Sequence, residues 1–243
     1  MKRIPQSAKV FVGLVALCAL VNLGCGLMRW ESVDLVRFGC FVVLSAAASR
    51  MKVSLPGLNG NMSVNLPFML LAALELSLPQ ALIVAAVSTA VQCLPKNGKS
   101  MTGVQVLFNI STIVNAVAVA HLLSHSNLGL HTAPAKSLLV AAAAAAFFVL
   151  DTISVAIVIG LAEGVPVLKT WKEIVLLSFP YCVLSAGLAS MASTAMMFVA
   201  WYVPLVLFPV MALTYASFKR YFLGTANIDA YSEPYVSSAA ADD

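Results

Sequence analysis

The stretch Glu75-Leu76-Ser77-Leu78-Pro79-Gln80, "ELSLPQ", lies inside an apolar run that reaches from about residue 62 to about residue 94. A bilayer crossing needs about 20 residues, and this run has roughly 33. It is either one long helix with an acid buried in it or two short helices joined by a turn. Ser77 and Gln80 have the spacing of a capping box. Pro79 then falls in the first turn of the helix they open, where its missing N–H costs nothing. Asn65 followed by Pro67 marks an upstream start by the same logic. Helix 3 is therefore expected to end at Glu75 and helix 4 to begin at "SLPQ". The two pieces are about 11 and 15 residues long, roughly 17 and 23 Å, and both fall short of a hydrocarbon core about 30 Å thick. Short, proline-interrupted segments of this kind point to binding sites in membrane proteins.

The basic residues test that choice. Eight segments with a hairpin at Pro79 place Lys2, Arg3, Lys9, Arg50, Lys52, Lys96, Lys99, Lys169, Lys172, Lys219 and Arg220 inside, and Arg29, Arg37 and Lys136 outside, eleven against three. A single crossing moves every later loop to the other side and leaves six inside against eight outside. The positive-inside rule selects the hairpin and puts both termini in the cytoplasm. It does not separate a fully spanning hairpin from a re-entrant one.

The rest of the chain agrees with a membrane bundle. Hydrophobic residues make up 61% and charged residues 10% of its 243 residues, against about 25% charged in a soluble domain. The expected fold is all-α, a polytopic bundle of about eight membrane segments over residues 1–223. An acidic cytoplasmic tail, expected to be disordered, follows over 224–243. Besides the hairpin, the apolar runs are residues 9–29, 32–48, 102–123, 136–161, 174–197 and 202–218. The partner implied by composition is the lipid bilayer. The charge of +4 comes from scattered basic residues, so no nucleic acid is expected. Five cysteines without a C-x-x-C are read as small buried hydrophobes rather than a disulfide or zinc framework. The alanine run 141–146 suits a close-packing helix face.

The polar residues inside the runs are the site candidates. Asp151, in the sixth segment, costs about 2.5–3.5 kcal/mol in a span on insertion scales, so it should face the interior with a partner, Thr152 being the nearest, or carry a proton. Glu75 either lines an outward pocket or sits wetted at the surface. Asn65 stands at the start of helix 3. Gln105 and Asn109, one turn apart, share a face of helix 5, where amides with Asn115 serve as interhelical glue or ligand contacts. His121, His125 and His131 gather on the outer side, but no metal or other cofactor is expected. Asp34 and Arg37 read as an interfacial ion pair. Trp30, Trp201 and Tyr202 fit an outer aromatic belt and Trp171 an inner one. No nucleophile–base motif or P-loop is present, and no enzyme is expected.

At "MSVNLPFMLLAALELSLPQ", "AVQCLP", "VQVLFNIST", "WKEIVLLSFPY" and "RYFLG", the chain resembles the multi-helix membrane sensor (MASE-type) region of bacterial cyclic-di-GMP signalling proteins with HD-GYP or GGDEF output domains. The resemblance covers nearly all of residues 8 to 223. It implies an inner-membrane input domain whose ligand is undefined, and it supplies no ligand-binding residues. The output domain is missing from this sequence, and Asp151 stands where a neutral polar residue would be expected. The resulting expectation is a sensor-type protein that binds a small or lipid-soluble ligand among helices 3 to 6. It would act through a signalling partner or as a homo-oligomer. The alternative is a transporter, or the membrane-embedded substrate-binding subunit of an uptake system.

Overall fold

The computed structural model describes residues 5–28, 30, 34–54, 61–95, 101–126, 133–199, 202–217 and 220. Eight helices follow one another: α1 (Gln6–Leu27), α2 (Leu35–Ser49), α3 (Leu66–Glu75), α4 (Leu78–Cys93), α5 (Gly103–Ser124), α6 (Ala133–Glu163), α7 (Val167–Met196) and α8 (Val203–Ser217). Between α2 and α3 lies a small antiparallel pair, β1 (Lys52–Ser54) and β2 (Asn61–Ser63), with Val53 opposite Met62. The helical bundle is as expected; this hairpin is the one addition among the described residues. The tail 224–243, with its expected disorder, lies outside the described residues.

The apolar run does break at "ELSLPQ". Leu76 and Ser77 are extended, and Gln80 Oε1 accepts the Ser77 N–H at 3.2 Å, so the Gln80 half of the capping box is in place. At 10 and 16 residues, α3 and α4 are about 15 and 24 Å long. Among the described residues, four helices are long and apolar enough to cross a bilayer: α1, α5, α6 and α7. At 30 residues, α7 begins seven residues before the expected 174. Its first turns carry Lys169 and Lys172, both exposed, and continue the helix past the apolar run.

The short hairpin is the centre of the bundle. Seven consecutive residues of α3, Pro67 to Ala73, are buried, and so is most of α4. Helix α4 packs on α2, α5 and α1; α3 packs on α7, α5 and α2. The rings of Phe68 and Phe208, 6.3 Å apart, bring α8 against α3. Such a layout follows from the solvent. Non-helical backbone at membrane depth is tolerated only where protein, not lipid, surrounds it. The long helices take the lipid side: α1 buries the stripe Ala8, Val12, Ala16 and Ala19 and exposes Leu14, Leu17, Leu20 and Val21. Gly26 lets α1 meet the start of α4, since a Cβ there would lie 3.3 Å from Leu82 Cδ1 and 3.5 Å from Pro79 Cα.

Two expectations about packing need correction. Cys18 and Cys25 are exposed on α1; only Cys93 and Cys182 are buried. The outward stripe of α1 meets lipid, where a thiol costs little. Of the alanine run, Ala143 and Ala144 are buried while Ala141, Ala142 and Ala145 are exposed, because one face of a helix cannot hold six consecutive residues.

Candidate functional site

Breaking the run leaves the last carbonyls of α3 without helical donors, as at any helix end. The Leu76 N–H closes the last helical bond, to the Ala72 carbonyl at 3.0 Å. Two side chains from other helices supply donors to the carbonyls beyond it. Nδ1–H of His121, on α5, donates to the Ala73 carbonyl at 2.9 Å. The Arg37 guanidinium, on α2, donates through Nη2 to the Glu75 carbonyl at 2.9 Å and to Glu75 Oε2 at 3.0 Å. The other carboxylate oxygen of Glu75 accepts from Ser193 Oγ of α7. An acid at a helix C-terminus is unfavourable for the macrodipole, and a guanidinium there is favourable. Arg37 therefore answers both the free carbonyl and the carboxylate. Glu75 thus ties the end of α3 to α2 and α7, while His121 ties it to α5.

All the groups lie at one end of the bundle. Arg37 is near the start of α2, and Glu75, His121 and Ser193 are near the ends of α3, α5 and α7. Helices that alternate in direction place them so. His125 stacks on His121 with ring centroids 4.0 Å apart, and its Nδ1 lies 3.0 Å from the His121 carbonyl. His131 lies outside the described residues. Arg37 does not pair with Asp34. Asp34 instead caps α2, its Oδ1 accepting from the Val36 and Arg37 N–H groups at 3.1 Å each. Three residues of sequence separation suggested the wrong partner, because a carboxylate at an N-cap is already committed to backbone donors. Ser193 and the capping role of His121 had no signal in the sequence beyond being polar groups near the outer ends of their segments.

The remaining candidates are not gathered at this node. Gln105 is exposed and closes the N-terminus of α5: its Oε1 accepts from the Thr102 N–H at 2.9 Å. The expected face shared with Asn109 therefore does not form a pocket wall. Asn109 Nδ2 faces the sulfurs of Cys93 and Met101 at 3.8 and 3.7 Å. Asn65 is buried at the N-cap of α3. Asn115 does act as glue: its Oδ1 accepts from Asn22 Nδ2 at 2.9 Å and its Nδ2 donates to the Val15 carbonyl at 3.0 Å, joining α5 to α1.

Asp151 stands apart, half-buried in α6, with no hydrogen bond or ion pair among the described residues. The assistance expected from Thr152 is not given. That hydroxyl donates to the Phe148 carbonyl at 2.7 Å and accepts from Trp171 Nε1 at 3.1 Å. Helices α3, α5, α6 and α7, rather than 3 to 6, enclose a narrow apolar crevice lined by Leu70, Ala73, Ala120, Val140, Ala144 and Ala189. Its volume of about 10 Å³ is far below the roughly 300–1,000 Å³ of ordinary small-molecule pockets.

A family model for MASE9, a membrane-associated sensor domain family, matches residues 27–222. Nothing matched among curated proteins or among solved structures. The matched span begins at the end of α1 and runs past α8. It includes every residue of the Glu75 node, the short hairpin and Asp151, so the chain belongs to the MASE9 family of membrane-associated sensor domains.

Proposed function

We propose that this chain is the input unit of a bacterial signalling system in the cytoplasmic membrane, with both termini in the cytoplasm, and that its sensing point is the Glu75 node. A small or lipid-soluble ligand acting there would compete for Arg37, Ser193 or the carbonyl end of α3. The α3–α4 hairpin is a buried rod from that node to the opposite end of the bundle. There Lys52 Nζ, at the foot of β1, donates to the Leu94 carbonyl just beyond α4 at 3.3 Å. Movement of the hairpin would therefore change the surface formed by β1, β2 and the end of α4. A signalling protein, or a second copy of the chain, would read that surface. The observation that carries this reading is the convergence of three helices on the C-terminus of a fourth, through one carboxylate and two orphan carbonyls.

The test is accessibility at the far end. In a cysteine-free background carrying Lys52→Cys, a membrane-impermeant thiol reagent should label inverted vesicles and not intact cells. Adding Arg37→Ala should change the labelling rate several-fold. Labelling from the periplasm would refute the orientation, and an unchanged rate would refute the coupling. Transport is the second reading, favoured by one feature, the carboxyl of Asp151 within a span. Uptake into proteoliposomes that is driven by a proton gradient and abolished in Asp151→Asn would establish it.

A further inference from the structure

Asp151 lies in the inner half of α6, twelve residues before its end at Glu163. Helical spacing puts it on the stripe Val140, Ala144, Phe147, Asp151. Val140 and Ala144 line the interhelical crevice, and Ala144 and Phe147 are buried. Asp151 thus continues the crevice about 10 Å beyond Ala144, toward the inner ends of the helices. It is not on the lipid-facing stripe, which runs through Leu138, Val149 and Ile153.

Two contacts fasten α6 to α7 on either side of it. The rings of Phe148 and Phe179 meet edge-on with centroids 6.1 Å apart, and Trp171 bonds Thr152. In antiparallel helices, three residues beyond the Phe148–Phe179 contact brings Asp151 to the depth of Leu176. Pro180 in α7 has no N–H, so the Leu176 carbonyl lacks its usual helical donor. The neighbourhood is therefore rich in acceptors, and the α7 group that interacts with Asp151 is the thiol of Cys182, a weak donor. Thr152 has spent its proton on Phe148, and the Trp171 N–H is spent on Thr152. Lys172, the cation of α7 closest in depth, is exposed and makes no ion pair with Asp151.

A carboxyl in a span needs a cation, a hydrogen-bond donor or a proton. Among the described residues it has no ion pair and no hydrogen bond, and it is half-buried rather than sealed off. We propose that Asp151 anchors a binding site for a protonated amine carried on an apolar body, the ammonium meeting the carboxylate and the apolar body lying toward the crevice. This site does not depend on the Glu75 node, and either can fail without the other.

The test uses the full chain in lipid nanodiscs with Trp30→Phe and Trp201→Phe, leaving Trp171 as the sole indole of the three. Dodecylammonium should change Trp171 emission saturably, and dodecanol should not. Asp151→Asn should weaken the half-saturation at least about tenfold, the size of a lost charge-assisted hydrogen bond. Asp151→Glu should retain it within about threefold, and Glu75→Gln should leave it unchanged. Equal binding by Asp151→Asn, an equal response to dodecanol, or a response that never saturates would overturn the proposal. So would equal loss in the Asn and Glu variants, which would make Asp151 a packing residue. A dimer that Asp151→Asn dissolves, with no amine response in the parent, would overturn it in favour of a second copy.

Discussion

Glu75 and Asp151 are both acids within the helical bundle, and their surroundings are opposite. Glu75 stands where a helix ends, and each of its oxygens has a partner from a different helix. Asp151 stands in mid-helix and has none among the described residues. A broken helix brings backbone acceptors with it, and the cation recruited for them also answers the acid. An unbroken helix satisfies its own backbone, so an acid on it recruits nothing. The first arrangement is a structural joint closed by its own bundle. The second leaves a carboxyl outside any such joint.

The comparison breaks most directly at Arg37. Arg37→Ala removes the donor to both the Glu75 carbonyl and its carboxylate. Loss of one member of a buried pair costs about 3–5 kcal/mol. The two side chains are 29% and 20% exposed, so solvent screening reduces this to roughly 1–3 kcal/mol. Unfolding of the purified chain in detergent measures it, and a loss below about 0.5 kcal/mol would show that the node holds nothing together.

Asp151→Leu should act in the opposite direction. Replacing an unpaired acid with an apolar residue removes a desolvation cost and forfeits no bond, so stability should rise by about 1 kcal/mol. The same unfolding assay decides. A marked loss would reveal a partner for Asp151 and erase the contrast with Glu75.

Gln80→Ala sharpens the account of the break itself. It removes the acceptor for the Ser77 N–H at the start of a buried helix, at a cost of about 1 kcal/mol. A shift of that size in the unfolding midpoint, with full retention of helical circular dichroism, is the expected result. No shift would mean that packing alone holds the turn.

What could be read from residues alone follows the same division. The break was legible, because Ser77, Pro79 and Gln80 carry local instructions that no distant contact overrides. So was the helical bundle, since the apolar runs map onto its eight helices. Asn115 was legible as glue because an amide in lipid has few other uses. The pairing of Arg37 was not. Asp34 and Glu75 were both available, and only the bundle shows that Asp34 is occupied by the N-terminus of α2. Gln105 failed as a site residue for a similar reason: it lies at the N3 position of α5, where the capping box with Thr102 claims it. That box was visible in the sequence as the same pattern that marked α4. The extra turns of α7 escaped because helix length beyond the hydrocarbon carries no hydropathy signal.

The neutral pair Asn22–Asn115 supplies the smallest effect and the control for the largest. It joins α1 to α5 inside the bundle at 2.9 Å, shorter than the contact between Arg37 and Glu75 Oε2. Yet interhelical polar bonds in membranes average only about 0.6 kcal/mol by double-mutant cycles, because the unfolded chain in the membrane also finds partners. A cycle of Asn22→Ala and Asn115→Ala should therefore give a coupling near about 0.6 kcal/mol. A cycle of Arg37→Ala and Glu75→Gln should give more, since an ion pair at the bundle end leaves a charge behind when one member is lost. If the two couplings were equal, charge would add nothing at the node. The orphan carbonyls of α3, rather than the Glu75 carboxylate, would then be what Arg37 is there to hold.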